Sequence, residues 1–157
     1  MFRELTRKKQ QLSSDECIAL LKQELRGVLS VLGDNGYPYG LPINHWYNEE
    51  DGCLYFHSGK QGHKVDAMRN CPKASFCVYD KGTGTDTWAL DIQSVIVFGT
   101  LEEITDQAKA IAMVRKLSEH FVDDRDYIQY EIEKSGHRTL CFRLVPEHMT
   151  GKKVHEA

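Results

Sequence analysis

The chain has 157 residues, a formal net charge of −3 and 41% hydrophobic residues. That length supports a single domain, residues 1–157, with a sizeable core. The slightly acidic balance excludes a dedicated nucleic-acid binder, which carries a basic face; no run approaches the about 20 apolar residues that cross a bilayer, and no hydrophobic signal core follows the charged N-terminus.

The first element opens with Ser13-Ser14-Asp15-Glu16, where Ser13 and Glu16 stand at capping-box spacing. Ile18, Leu21 and Leu25, widened by Leu20, give a helical apolar face, and the helix is expected to stop at Arg26-Gly27. Strand character follows over Val28–Leu32, then the turn Gly33-Asp34-Asn35-Gly36, where Asn and Gly accept positive φ. The return strand, Tyr37 to Tyr47, contains Pro38 and Pro42 and reads as an edge or bulged strand. A turn at Glu49–Gly52 leads to a strand over Cys53–His57, and a short helix is predicted over His63–Asn70, closed by Cys71-Pro72. A strand over Ala74–Tyr79, a mobile loop over Lys81–Thr85 and the strongly β-type run Ser94–Leu101 come next. A longer helix begins after Thr105-Asp106 with Ile111, Val114, Leu117 and Phe121 on one face and Met113 as core filler. A charged helix over Asp123–Lys134 and a last strand, Thr139–Val145, precede a tail starting at Pro146. About six strands in hairpin order with inserted helices suggest a closed antiparallel barrel, with an open α+β sheet as the competing architecture.

The richest segment is Leu54-Tyr55-Phe56-His57-Ser58-Gly59-Lys60-Gln61-Gly62-His63-Lys64-Val65. A strand ends in an imidazole and a hydroxyl, crosses two glycines, and restarts with a lysine at a helix start. Such a segment offers hydrogen-bond donors, charge and free helical N–H groups to a phosphate. Its spacing is neither a Walker loop nor a dinucleotide fingerprint. On these residues alone, a phosphate cradle and a plain strand-to-helix loop fit equally well. The five cysteines, Cys17, Cys53, Cys71, Cys77 and Cys141, are odd in number and form no Cys-x-x-Cys pair, which fits reduced packing thiols. His45, Cys53, His57 and His63 lack a recognised metal-ligand spacing. His45 faces either a substrate pocket or solvent, and Trp88 and Tyr39 either stack on a bound ring or pack in a core or interface.

Four separated pieces carry a family resemblance: Gly36–Asn44; Leu54–Ser58 with Gly62 and Lys64; Ser94–Gly99; and Thr150-Gly151-Lys152. In this order and spacing the chain resembles the flavin-binding split-barrel proteins related to pyridoxamine 5′-phosphate oxidase, with the nitroimidazole-resistance branch nearest. The resemblance implies a mainly β fold, a six-stranded antiparallel split barrel, and a homodimer with FMN in two equivalent clefts at its interface. It implies that Pro42, Ile43 and Asn44 lie along the isoalloxazine ring and that His57, Ser58 and Lys64 hold the phosphate. Ser94 and Val95 are implied to contribute from a neighbouring strand of the same or the other subunit. Residues that would hold a pyridoxamine-phosphate substrate are not evident: Arg138, Arg143, Lys152 and Lys153 form no clear motif.

Two functional classes follow. One is an FMN-dependent oxidoreductase that reduces a small electron-poor molecule, a nitro-aromatic such as a 5-nitroimidazole or a quinone, with a nicotinamide donor. The other is a protein that binds FMN or haem without turnover. The flavin carries the electrons in the first case, so no catalytic triad or carboxylate pair is required of the protein. No nucleic-acid or membrane partner is expected, and the expected location is the cytoplasm.

Overall fold

The structure, a computed structural model, describes residues 1–84 and 88–156. Its first helix, α1 (Ser14–Gln23), starts with the expected reciprocal cap: the Glu16 N–H donates to the Ser13 hydroxyl, and the Ser13 N–H donates to the Glu16 carboxylate. Then come β1 (Arg26–Leu32), β2 (Pro38–Asn44), β3 (Trp46–Asn48) and β4 (Cys53–Gly59). Helix α2 (His63–Asn70) matches the expected bounds and precedes β5 (Lys73–Tyr79), β6 (Thr83–Gly84) and β7 (Leu90–Glu103). Helices α3 (Gln107–Glu119) and α4 (Arg125–Ser135) follow, capped by Asp106 and Asp124, and the chain closes with β8 (Thr139–Glu156). No helix among the described residues is long and apolar enough to cross a membrane.

The strands form one antiparallel sheet in the order β2-β1-β5-β7-β8-β4-β3, with β6 paired to β7. Six of them are seven residues or longer, and β3 and β6 are short additions. The sheet's two edges, β2 and β3, are consecutive in the chain with only His45 between them. A single residue cannot span a flat sheet, so the sheet curls until its edges meet. This is a split barrel: the β2 edge stands beside β4 without laddering to it, and the opening between them is the split.

Inside the curl, alternate residues form the core: Leu29 and Val31 on β1, Phe76 and Val78 on β5, Val95 and Val97 on β7. Phe56 sits at its centre, edge-on to Phe76 with centroids 5.1 Å apart and stacked on Phe142 at 5.3 Å. Helix α1 closes one side with Leu20 and Leu21, and α2 contributes Val65 and Met68. Gly151 lets α1 come this close, because a Cβ there would fall 2.4 Å from the Cys17 sulfur.

Three expectations need correction. The tail after Val145 is strand: β8 continues through Pro146 and pairs with β7 as far as Glu156. A β-bulge between Phe98 and Gly99 absorbs the proline, and Gly99 makes room, since a Cβ there would lie 2.1 Å from the Val145 carbonyl oxygen. The segment expected as a loop at Lys81–Thr85 pairs in part, through Thr83 and Gly84 against Asp91 and Leu90; Thr85 lies outside the described residues. His45 faces neither pocket nor solvent. It is 0% exposed, its Nε2 lies 2.7 Å from the Leu21 carbonyl, and its ring meets the edge of Phe76. Burial holds its pKa down at about 4, so it is a neutral core residue whose Nδ1 has no partner among the described residues.

Candidate functional site

The split is lined by an open cleft of about 550 Å³, within the usual range for small-molecule sites. One wall is the outer edge of β2: Leu41, Pro42 and Ile43. Since β2 ladders only with β1, this edge has no strand partner among the described residues. A proline is tolerated here because an edge strand can turn its missing N–H away from the ladder. The facing wall is the end of β4, His57, Ser58 and Gly59, beyond Tyr55, the last β4 residue opposite β3. Two backbone edges therefore border the cleft and are available to a flat ligand.

The end of the cleft beside α2 and the turn into β8 is basic. Lys64 reaches in from the first turn of α2, and Arg138 from the 3₁₀ turn Gly136–Arg138 that leads into β8. Lys64 makes no ion pair among the described residues, and the Arg138 guanidinium donates only to the Ser135 hydroxyl, at 3.4 Å. No carboxylate is among the described residues lining the cleft. The N-cap of α2 is Gly62, at φ 120°, and no side chain caps the helix. Only glycine takes that φ without strain, and the exposed helix start favours an anion. The His57 imidazole opens into the cleft, and desolvation lowers its pKa, which favours its neutral form. The Ser58 hydroxyl donates to the Gly59 carbonyl at 2.8 Å.

Five of the eight residues implied by the resemblance, Pro42, Ile43, His57, Ser58 and Lys64, thus converge on one cleft. Asn44 lies at the end of the same β2 edge, where its side-chain carbonyl accepts from the Arg26 guanidinium at 2.7 Å. Ser94 and Val95 lie elsewhere. Val95 is buried in the core, while Ser94 sits on the outer face of β7, opposite Tyr79 and Lys152. Arg138, Ser135 and Thr139 also line the cleft, and Thr139 enters because it pairs with Gly59. The β4–β8 pairing carries this information, and no local motif does.

Other candidates resolve as structure. Arg143 is held by Glu102 at 2.8 and 3.0 Å and by Asp51 at 3.4 Å, and its pKa is raised, first by the bond to Glu102 and then by Tyr55. Tyr55 donates to Asp51 at 2.7 Å; burial and that bond raise its pKa to about 12. Tyr39 stacks on His63 at 4.1 Å, and the His63 Nε2 accepts from the Asp34 N–H, which pins the β1–β2 turn to the start of α2. Trp88 is fully exposed. Burial raises the thiols of Cys17, Cys53, Cys77 and Cys141, the last to about 11, which keeps them protonated and unreactive.

A curled antiparallel sheet with an open, basic cleft at its split defines a split-barrel protein. The family model of pyridoxamine 5′-phosphate oxidase matches residues 13–153, and the chain belongs to that family. No curated protein matches the chain. Among solved structures, a candidate 5-nitroimidazole antibiotic resistance protein from Bacteroides thetaiotaomicron superposes with a TM-score of 0.79 at 17% identity, covering 93% of this chain and 87% of that one. A FAD-binding protein from Mesorhizobium loti superposes with a TM-score of 0.67 at 25% identity, covering 92% and 97%. A FAD- and haem-binding protein from Mycobacterium smegmatis gives 0.72 at 21% identity, covering 91% and 72%.

Proposed function

We propose that this protein is a flavoprotein that binds FMN in the cleft and reduces a small electron-poor molecule, a nitro-aromatic such as a 5-nitroimidazole or a quinone, with electrons from a nicotinamide donor. The observation that carries this reading is the cleft itself: Lys64 from the first turn of α2 and Arg138 stand beside free strand edges, with no carboxylate among the described lining residues. A phosphomonoester of charge about −1.5 to −2 fits the basic end, and a flat ring fits between two backbone edges. The M. loti relative and the mycobacterial neighbour, each described as FAD-binding, support a flavin, and the B. thetaiotaomicron neighbour supports nitro-compounds as substrates.

When bound, FMN supplies the electron and hydride chemistry. The chain's own residues bind and orient it. Lys64 and Arg138 would neutralise the phosphate, Ser58 would turn its hydroxyl from the Gly59 carbonyl to donate to it, and the His57 ring would offer a further N–H. Pro42, Ile43 and Asn44 supply an edge for the ring. We further propose a cytoplasmic homodimer. The outer faces of β5 and β7 support it, because Tyr79, Ile96 and Phe98 stand there 59%, 38% and 37% exposed. Ser94 shares that face and would enter the partner's cleft across the interface, whereas Val95 would act from the core by holding β7 in place.

The test is equilibrium FMN titration followed by turnover. Lys64→Ala and Arg138→Ala should each weaken FMN binding by about 1–3 kcal/mol, the range for lost charge-assisted hydrogen bonds. Unchanged affinity in both variants would remove the cradle. With NADH or NADPH and a nitro-aromatic acceptor, steady reoxidation of the flavin supports the enzyme. Bound FMN that no donor reduces would leave a flavin-binding protein without turnover.

A further inference from the structure

A second cavity, of about 510 Å³, lies between the barrel and helices α3 and α4. Its apolar lining is Ile104 just past β7, Ile111 and Val114 on α3, Ile132 on α4, and Leu140 with the neutral thiol of Cys141 on β8; Thr105 and Gln107 add polar groups at the start of α3. The two helices are thinly packed, with Leu117 the one fully buried residue of α3 and Ile128 that of α4. Ile111 and Val114 stay half-buried: Val114 packs on the Cys53, Tyr55 and Cys141 cluster of the sheet with one side on the cavity, and Ile111 lines the cavity without joining that cluster. Apolar walls that stand open to solvent gain dispersion contacts and lose wetted area when an apolar guest covers them.

The lip of this cavity is basic. Lys60 and His137 stand there without a hydrogen bond or ion pair among the described residues. Glu103, the one carboxylate among the described lining residues, is neutralised by Arg69 through two bonds of 2.7 and 3.2 Å. The cavity is therefore separate in chemistry from the cleft, which has strand edges for walls. The two are neighbours all the same. Thr139 lines both, and the turn Gly136–Arg138 divides them, with His137 toward this cavity and Arg138 toward the cleft.

We propose that this cavity is a second ligand site, for a small amphipathic anion with an apolar body against the aliphatic walls and one carboxylate, sulfonate or phosphate at Lys60 and His137. Two sources share that chemistry: a separate small molecule, and the distal nucleotide half of a longer ligand whose first phosphate lies in the cleft. The site itself does not depend on the flavin reading, because Thr139 is the one lining residue the two cavities share.

The probe is 8-anilinonaphthalene-1-sulfonate, titrated into the protein as purified, with flavin absorbance followed in parallel to report the cleft separately. The expected result is saturable binding to one site per chain. Val114→Trp, which fills the cavity, should weaken it more than tenfold, and Lys60→Gln by about tenfold, the equivalent of one charge-assisted contact. Octanoate should displace the probe at concentrations where octanol does not. Displacement by AMP as well assigns the site to a dinucleotide; displacement by octanoate alone assigns it to a separate acid. Ala110→Leu, a smaller filling on the same helix face, replaces Val114→Trp if that variant fails to fold. Probe binding unchanged in a folded cavity-filling variant, or equal displacement by octanol and octanoate, would overturn the proposal.

Discussion

Arg138 and Arg143 flank the start of the same strand and have opposite surroundings. Arg143 spends its guanidinium on Glu102 and Asp51, and Arg138 leaves most of its own facing the cleft. Arg143→Ala should therefore lower stability by about 1 kcal/mol, the scale of a partly exposed ion-pair network, and leave FMN affinity unchanged; Arg138→Ala should do the reverse. Urea unfolding and FMN titration on both variants check the contrast. His45 gives a pH prediction. Its folded pKa of about 4 lies below its ordinary 6.5, so the unfolded chain binds the extra proton. Its contribution is fully present above pH 6.5 and is lost as pH falls toward 4, in total about 3 kcal/mol. Replacing His45 with Gln, which keeps a donor for the Leu21 carbonyl, should flatten the stability curve over that window. An unchanged slope would show that other groups set it.

At the scale of elements, local chemistry was readable where a short stretch decides the outcome. The Ser13–Glu16 cap, the Asn35-Gly36 turn with φ of 58° and 76°, and the bounds of α2 all follow from residues in immediate contact. The end of the chain was not readable in this way. Pro146 looks like a terminator, and only the bulge opposite it, made possible by Gly99, lets β8 run on. His45 was hidden for a similar reason: alternation along one strand says nothing about a residue that turns the corner between two sheet edges. Gly99→Ala should destabilise the fold by about 1–3 kcal/mol, the usual penalty for overpacking, because the obstacle is backbone. Thermal unfolding measures it, and a wild-type midpoint would mean that β8 shifts freely at the bulge.

For the whole molecule, the site is a consequence of curvature. His57, Ser58 and Lys64 are close in sequence, but Pro42 and Arg138 join them only when the β2 edge swings round to β4 and β8 pairs with β4. That long-range closure explains why a phosphate cradle and a plain loop fit the residues from His57 to Lys64 equally well in the sequence. Assembly belongs to this scale too. Replacing Ile96 and Phe98 together with Asp should convert a homodimer to monomer in sedimentation velocity and weaken FMN binding at the same time. A wild-type protein that sediments as a monomer at micromolar concentration with flavin bound would remove the dimer.

The central claim, that the cleft at the split holds FMN, is tested most directly by the visible absorption spectrum of the purified protein, followed by denaturation and identification of the released chromophore. The account predicts flavin bands and released FMN, one per chain. A colourless protein that also fails to take up added FMN would contradict it.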